Sequence, residues 1–131
     1  MREDRISLYR EFPGESWDDV MGRVEVALKE EGFGILTRID VRATLKEKLD
    51  LDFRPYEILG ACNPALAHRA LSADDTIGVM LPCNVVVAES DGGIEVAIAR
   101  PSEMLRVADA QGLAAVADEA EERLARALAA I

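Results

Sequence analysis

The sequence predicts an α+β domain in which one antiparallel sheet carries helices packed on one face, in the order β-α-β-α-β-α-β-β-α. Three observations lead there. Short segments of alternating or branched residues take turns with segments at helical spacing. Ser90-Asp91-Gly92-Gly93 reads as a hairpin turn, which makes the strands on either side of it antiparallel neighbours. The chain has 131 residues, half of them apolar and 31% charged, which is the size and composition of a single globular domain.

Taken in order, residues 5–12 alternate, with Ile6, Leu8 and Arg10 against Ser7, Tyr9 and Glu11, and Pro13-Gly14 closes this first strand. Ser16 stands three residues ahead of Asp19 in a capping arrangement, and Trp17, Val20, Met21, Val24, Ala27 and Leu28 recur at helical spacing. Gly32 suits the left-handed backbone that ends a helix, so the first helix covers 16–31. Phe33 to Asp40 forms the second strand, with Ile35, Thr37 and Ile39 on one face. Asp40 caps a short helix over 41–49 that carries Val41, Leu45 and Leu49 on one side. Pro55 reopens an extended segment over 56–61. Asn63 caps and Pro64 begins a helix over 64–72, with Leu66 and Leu71 inward.

Residues 77–89 are a long extended apolar run interrupted by Pro82. Beyond the turn, Ile94, Val96 and Ile98 alternate with Glu95, Ala97 and Ala99, and a hairpin pairing positions that sum to about 183 places Cys83 across from Arg100. Pro101-Ser102 opens the last helical region. The stripe of Leu113, Val116, Ala117, Ala120, Leu124, Ala127, Leu128 and Ile131 then marks a helix over 113–130, whose small residues permit close packing.

Fifteen Lys and Arg against twenty-five Asp and Glu leave a net charge of −10. Phosphate backbones and anionic membrane surfaces require clustered positive charge, so neither nucleic acid nor a membrane is expected as a partner. No apolar run approaches the ~18–20 residues that span a bilayer. The start Met1-Arg2-Glu3-Asp4-Arg5 is charged where a signal peptide is apolar, and a cytoplasmic location is expected. In that compartment Cys62 and Cys83 are free thiols.

Four separated motifs, in order, form a recognisable set. They are Gly32-Phe33-Gly34-Ile35-Leu36-Thr37 with Ile39-Asp40-Val41, Thr44-Leu45-Lys46-Glu47-Lys48-Leu49, Ile58-Leu59-Gly60-Ala61-Cys62-Asn63-Pro64, and Leu81-Pro82-Cys83-Asn84-Val85. Together they resemble the domain-of-unknown-function 302 family over about residues 6–107, with the Ala-rich extension from about residue 108 outside the pattern. The resemblance implies a TATA-binding-protein-like topology, a homodimer, and no established activity. The family's recurrent residues fall here on Asp40, Lys48, Cys62, Asn63, Pro64, Leu81, Pro82, Cys83 and Asn84.

Among these, Cys62 stands immediately before a helix start, where free N–H groups and the helix dipole favour a thiolate. Cysteine is also among the residues most often buried, and a packed thiol is the competing reading. Cys83 follows a proline that interrupts the strand ladder, which either aims its side chain into a site or leaves it packed in an apolar strand. The two cysteines lack Cys-x-x-Cys spacing, and whether they meet depends on strand order. Zinc held by Cys62, Cys83 and the lone His68 would need more ligands than the chain clusters, so no metal site is assigned. Asp40 reads as a helix cap or a site residue, and Lys48 as a solvated lysine or as one that stabilises a nearby thiolate or binds an anion.

The functional expectation is a small protein that binds a small ligand or partner near the two Cys-Asn motifs, with candidate residues Cys62, Asn63, Pro64, Cys83, Asn84, Asp40 and Lys48. One alternative is a thiol-dependent enzyme or sulfur-handling protein with Cys62 as nucleophile. The other is a structural or protein-interaction module. No cofactor is named by any motif, and enzyme activity stays open.

Overall fold

The computed structural model describes residues 6–108 and 110–131. The charged start Met1–Arg5, including the first residue expected of the first strand, lies outside them. In chain order the elements are β1 (Ser7–Pro13), α1 (Trp17–Glu30), β2 (Gly34–Asp40), α2 (Val41–Leu49), β3 (Tyr56–Cys62) and α3 (Pro64–Ala73). A 3-10 helical turn (Ile77–Met80), β4 (Cys83–Ser90), β5 (Gly93–Ala99), α4 (Pro101–Met104) and α5 (Leu113–Ala130) follow. The five strands form one sheet in the order β1-β5-β4-β3-β2, and every neighbouring pair is antiparallel. Among the described residues, no helix is long and apolar enough to cross a membrane.

Strand alternation puts Phe12, Leu59, Val85, Val87, Ile94, Val96 and Ile98 on one face, all buried, under the apolar stripes of α1 and α5. Full burial of a Val or Leu side chain contributes about 1.5–3 kcal/mol, and this two-layer contact is the core. The stripe expected on α5 is buried at all seven positions from Leu113 to Leu128. α1 begins as its sequence suggests, with the Asp19 N–H donating to Ser16 Oγ at 3.2 Å. It ends at Gly32, whose φ of +83° lets the Phe33 N–H turn back to the Leu28 carbonyl. The hairpin register is also as expected, from Val85↔Ile98 to Ser90↔Gly93.

Three expectations are corrected, and α2 proves to be a surface helix. Thr37 and Ile39 do not share a face with Ile35, because a β-bulge between Ile35 and Thr37 inserts Leu36 and reverses the alternation. Residues 77–80 are a 3-10 turn rather than strand, so β4 starts only at Cys83. Asp74 prepares that turn by accepting from the Thr76 N–H and hydroxyl, at 2.9 and 2.6 Å. In α3 the inward residues are Leu66 and Ala70, while Leu71 is exposed. In α2 no residue is buried, and Leu49 is 62% exposed.

Candidate functional site

β3 ends and β4 begins side by side, and their last rung pairs Ala61 with Cys83. The strand order therefore brings the two cysteine motifs together at one corner of the sheet. Leaving β3 at Cys62, the chain enters α3 through Asn63, whose Oδ1 accepts the Leu66 N–H at 3.2 Å and whose Nδ2 donates to the Glu31 carbonyl at 3.4 Å. One buried amide thus caps α3 and ties it to the end of α1. Gly32 must be glycine on two counts, since its φ is positive and a Cβ there would lie 2.8 Å from Asn63 Nδ2.

Into β4 the chain arrives through the cis Leu81–Pro82 bond, and the Pro82 ring lies over β3. A Cβ on Gly60 would come 2.7 Å from Pro82 Cγ and would overlap Thr37 Oγ1. The bulge that turns Thr37 toward Gly60, the glycine that receives it and the proline beside it form one packing unit next to the cysteines.

Two adjoining hollows open at this corner. A cavity of about 40 Å³ lies among Phe33, Leu66, Ala70, Val116 and Ala120, and both Cys62 and Cys83 line it. A cleft of about 140 Å³ lies beside it, lined by Met80, Cys83, Asn84, Met104 and Leu105 among others, so Cys83 is common to both. Neither is lined by a charged side chain. Burial pushes the Cys83 thiol up to about 11, with the nearby Cys62 adding to the effect, so Cys83 is a neutral thiol at neutral pH. Both cysteines are free and partly exposed.

The helix start beside Cys62 is less open to an anion than the sequence suggests. Pro64 has no N–H, Asn63 Oδ1 takes the Leu66 N–H, and the Ala67 N–H bonds the Asn63 carbonyl at 2.9 Å. Of the first-turn amides described, only Ala65 has its N–H uncommitted.

Of the other candidate residues, Asn84 reaches the cleft, while Asp40 and Lys48 are placed elsewhere. Asp40 caps α2 by accepting the Ala43 N–H at 2.9 Å. It pairs with Glu57, at the far end of β3 from Cys62, about 17 Å along the strand at ~3.3 Å per residue. Lys48 is exposed in the last turn of α2. Asn84 projects from the opposite face of β4 to Cys83 and is exposed. His68 is exposed on α3 and lines neither hollow. Among the described residues, no three His, Cys, Asp or Glu side chains cluster as a metal site.

Sequence reasoning missed two groups. Met80 and Met104 join Cys83 only through tertiary structure. On the face of the sheet opposite α1 and α5, uncovered among the described residues, Glu95 is buried, accepting the Tyr9 hydroxyl at 2.6 Å and pairing with Arg54 at 3.2 Å. Burial and the hydrogen bonds to Glu95 and Glu11 raise the Tyr9 pKa, holding its phenol protonated. The signal is a glutamate sharing a strand face with Ala97 and Ala99, a face that would otherwise be plain.

Residues 10–131 match the family described as domain of unknown function DUF302. The chain belongs to this family. The DUF302 match continues through α5, past the last residue that the motifs alone reach. Among solved structures, the chain is similar to the crystal structure of an uncharacterised conserved DUF302 protein from Bacillus stearothermophilus, with 31% identity and a TM-score of 0.87. That likeness covers 96% of this chain and 98% of the other. No curated protein matches this DUF302 chain.

Proposed function

We propose that this DUF302 protein binds a small ligand at the corner formed by Cys62 and Cys83. One observation carries the reading: two motifs 21 positions apart in sequence meet at adjoining hollows whose lining is apolar and sulfur-bearing, without a charged side chain. Such a lining suits an apolar or soft, polarizable ligand and offers little to a hard ion. Nucleophilic catalysis by Cys62 is supported less, since most of the first-turn donors beside it are already committed. Amide-correlation NMR with indole and toluene as probes tests the site. Shifts concentrated at Cys62, Leu66, Ala70, Cys83 and Leu105 are expected, and shifts confined to the uncovered sheet face would reject the corner as the site.

A homodimer is the second reading, favoured by the face of the sheet opposite α1 and α5, which is open among the described residues. Its partner is a second copy. The buried Glu95 is paired within its own chain with Arg54, and Val86, Ala88, Ala97 and Ile58 add apolar surface around that pair, while Glu11, directly across from Glu95, places one more carboxylate at the β1 side of the face. Five strands at ~4.8 Å and seven residues at ~3.3 Å span about 550 Å². Phe53, stacked edge-on against Tyr56 at 6.0 Å, extends that patch toward the ~800 Å² per partner of a standard interface.

A further inference from the structure

We infer that the cleft beside Cys83 is a binding site for a soft monovalent cation of the Cu(I) type, held by the Cys83 sulfur and the thioethers of Met80 and Met104. This deepens the ligand-binding reading above and rests on it. The chain has six sulfur atoms, two in Cys and four in Met. Three of them line one cleft of about 140 Å³, brought there from the end of a 3-10 turn, the start of β4 and the end of α4. A fourth, Cys62, lines the adjoining cavity.

Methionine most often fills gaps in a core, as Met21 does here at 7% exposure. Met80 and Met104 are instead only partly buried and face the cleft together. Thioether and thiolate donors select soft cations, whereas calcium, magnesium and zinc sites are built from carboxylates, imidazoles or several thiolates. No carboxylate or imidazole lines this cleft. Charge balance fits as well. Cu(I) displaces the thiol proton of Cys83, one sulfur–hydrogen bond breaks as one sulfur–copper bond forms, and the proton leaves to solvent. The resulting thiolate–cation pair has no net charge, which an apolar cleft tolerates far better than a bare ion.

The test uses the full chain under anaerobic conditions, with Cu(I) added as its acetonitrile complex and bicinchoninate as competitor. The wild type is expected to hold one Cu(I) per chain. Cys83→Ser is expected to lower the affinity about 100-fold, and Met80→Leu with Met104→Leu, which conserve volume, about tenfold. X-ray absorption of the loaded wild type is expected to report sulfur neighbours only, which keeps the inference testable if Cys83→Ser fails to fold. Three results would overturn it: loss of Cu(I) to bicinchoninate as fast as from buffer, wild-type affinity in the double methionine variant, or nitrogen and oxygen neighbours around copper. A loss in Cys62→Ser with the methionine variant unaffected also overturns it, in favour of a two-thiol site. If indole still shifts the corner residues while Cu(I) is not retained, only the cation assignment falls. If neither binds, the ligand-binding reading falls with it.

Discussion

Gly60→Ala probes the packing unit that sets the cysteine corner. Gly60 does not have a positive φ, so alanine adds no backbone strain and would by itself stabilise by about 0.4–1 kcal/mol through the unfolded state. Against that, the new methyl meets Pro82 Cγ at 2.7 Å and overlaps Thr37 Oγ1, where ordinary carbon contacts are ~3.5–4.0 Å. Overpacking of this kind costs about 1–3 kcal/mol, leaving a net loss of about 1–2 kcal/mol. At ~2.1 cal/mol/K per residue, a chain of 131 residues has an unfolding entropy near 0.28 kcal/mol/K, so Tm should fall by about 4–7 °C. Thermal unfolding followed by circular dichroism measures this. The mechanism predicts coupling too: Thr37→Ala removes one of the two obstacles, so the double variant should lose at least ~0.5 kcal/mol less than the sum of the single variants. Because Pro82 adjoins Cys83, Gly60→Ala should also change the rate at which Cys83 is alkylated. A Gly60→Ala protein as stable as the wild type, or strictly additive with Thr37→Ala, would refute the reasoning.

Asn63→Ala removes the α3 cap and the link to Glu31 together, and should cost about 1–2 kcal/mol in urea unfolding; a change below ~0.5 kcal/mol would mean the cap is dispensable. Cys83 has a raised folded pKa of about 11 against an ordinary value of 9.0, so between those values the unfolded chain loses its thiol proton while the folded chain keeps it. Its contribution to stability is therefore complete below pH 9 and declines as pH rises toward 11, a decline that Cys83→Ser should lack; parallel profiles for the two proteins would contradict the assignment. Iodoacetamide alkylation of Cys83 should likewise accelerate with an inflection near 11, and an inflection near 9 would show an unburied thiol. Light scattering at micromolar concentration should report twice 14.3 kDa, and Val86→Glu on the uncovered face should restore the monomer; a wild-type monomer rejects the dimer.

The parts of the fold that were legible in sequence are those governed by local periodicity. α1 and α5 repeat their apolar residues over three turns or more, with Ser16 and Gly32 marking the ends of α1, and the Ser90–Gly93 turn dictates the register of β4 with β5. Where tertiary contacts decide, the reading failed. Ile77–Met80 is an apolar run of four, too short for periodicity to separate strand from helical turn, although Asp74 and Thr76 already carried the turn signal. The bulge at Leu36 is invisible in β2 alone, because it exists only relative to β3. Leu71 is expected inward on the rule that leucine is buried, a rule that runs in one direction only.

For the site, the motifs were legible and their meeting was not. Sequence identified Cys62 and Cys83 but not that β3 and β4 are neighbours, and nothing in the spacing of positions 80, 83 and 104 links them. Once the structure is assembled, most residues of the motifs have evident work in the fold. Gly32 makes room for Asn63, Asn63 caps α3 and holds Glu31, Pro64 starts α3, and Gly60 accommodates Thr37 and Pro82. The same subtraction applied to the cysteines leaves a remainder. Among the described residues no hydrogen bond or helix cap uses either thiol, and neither sulfur is joined in a disulfide. The packing of this corner therefore accounts for the residues around the two thiols without requiring the thiols themselves, and it is their chemistry that the corner leaves available to a ligand.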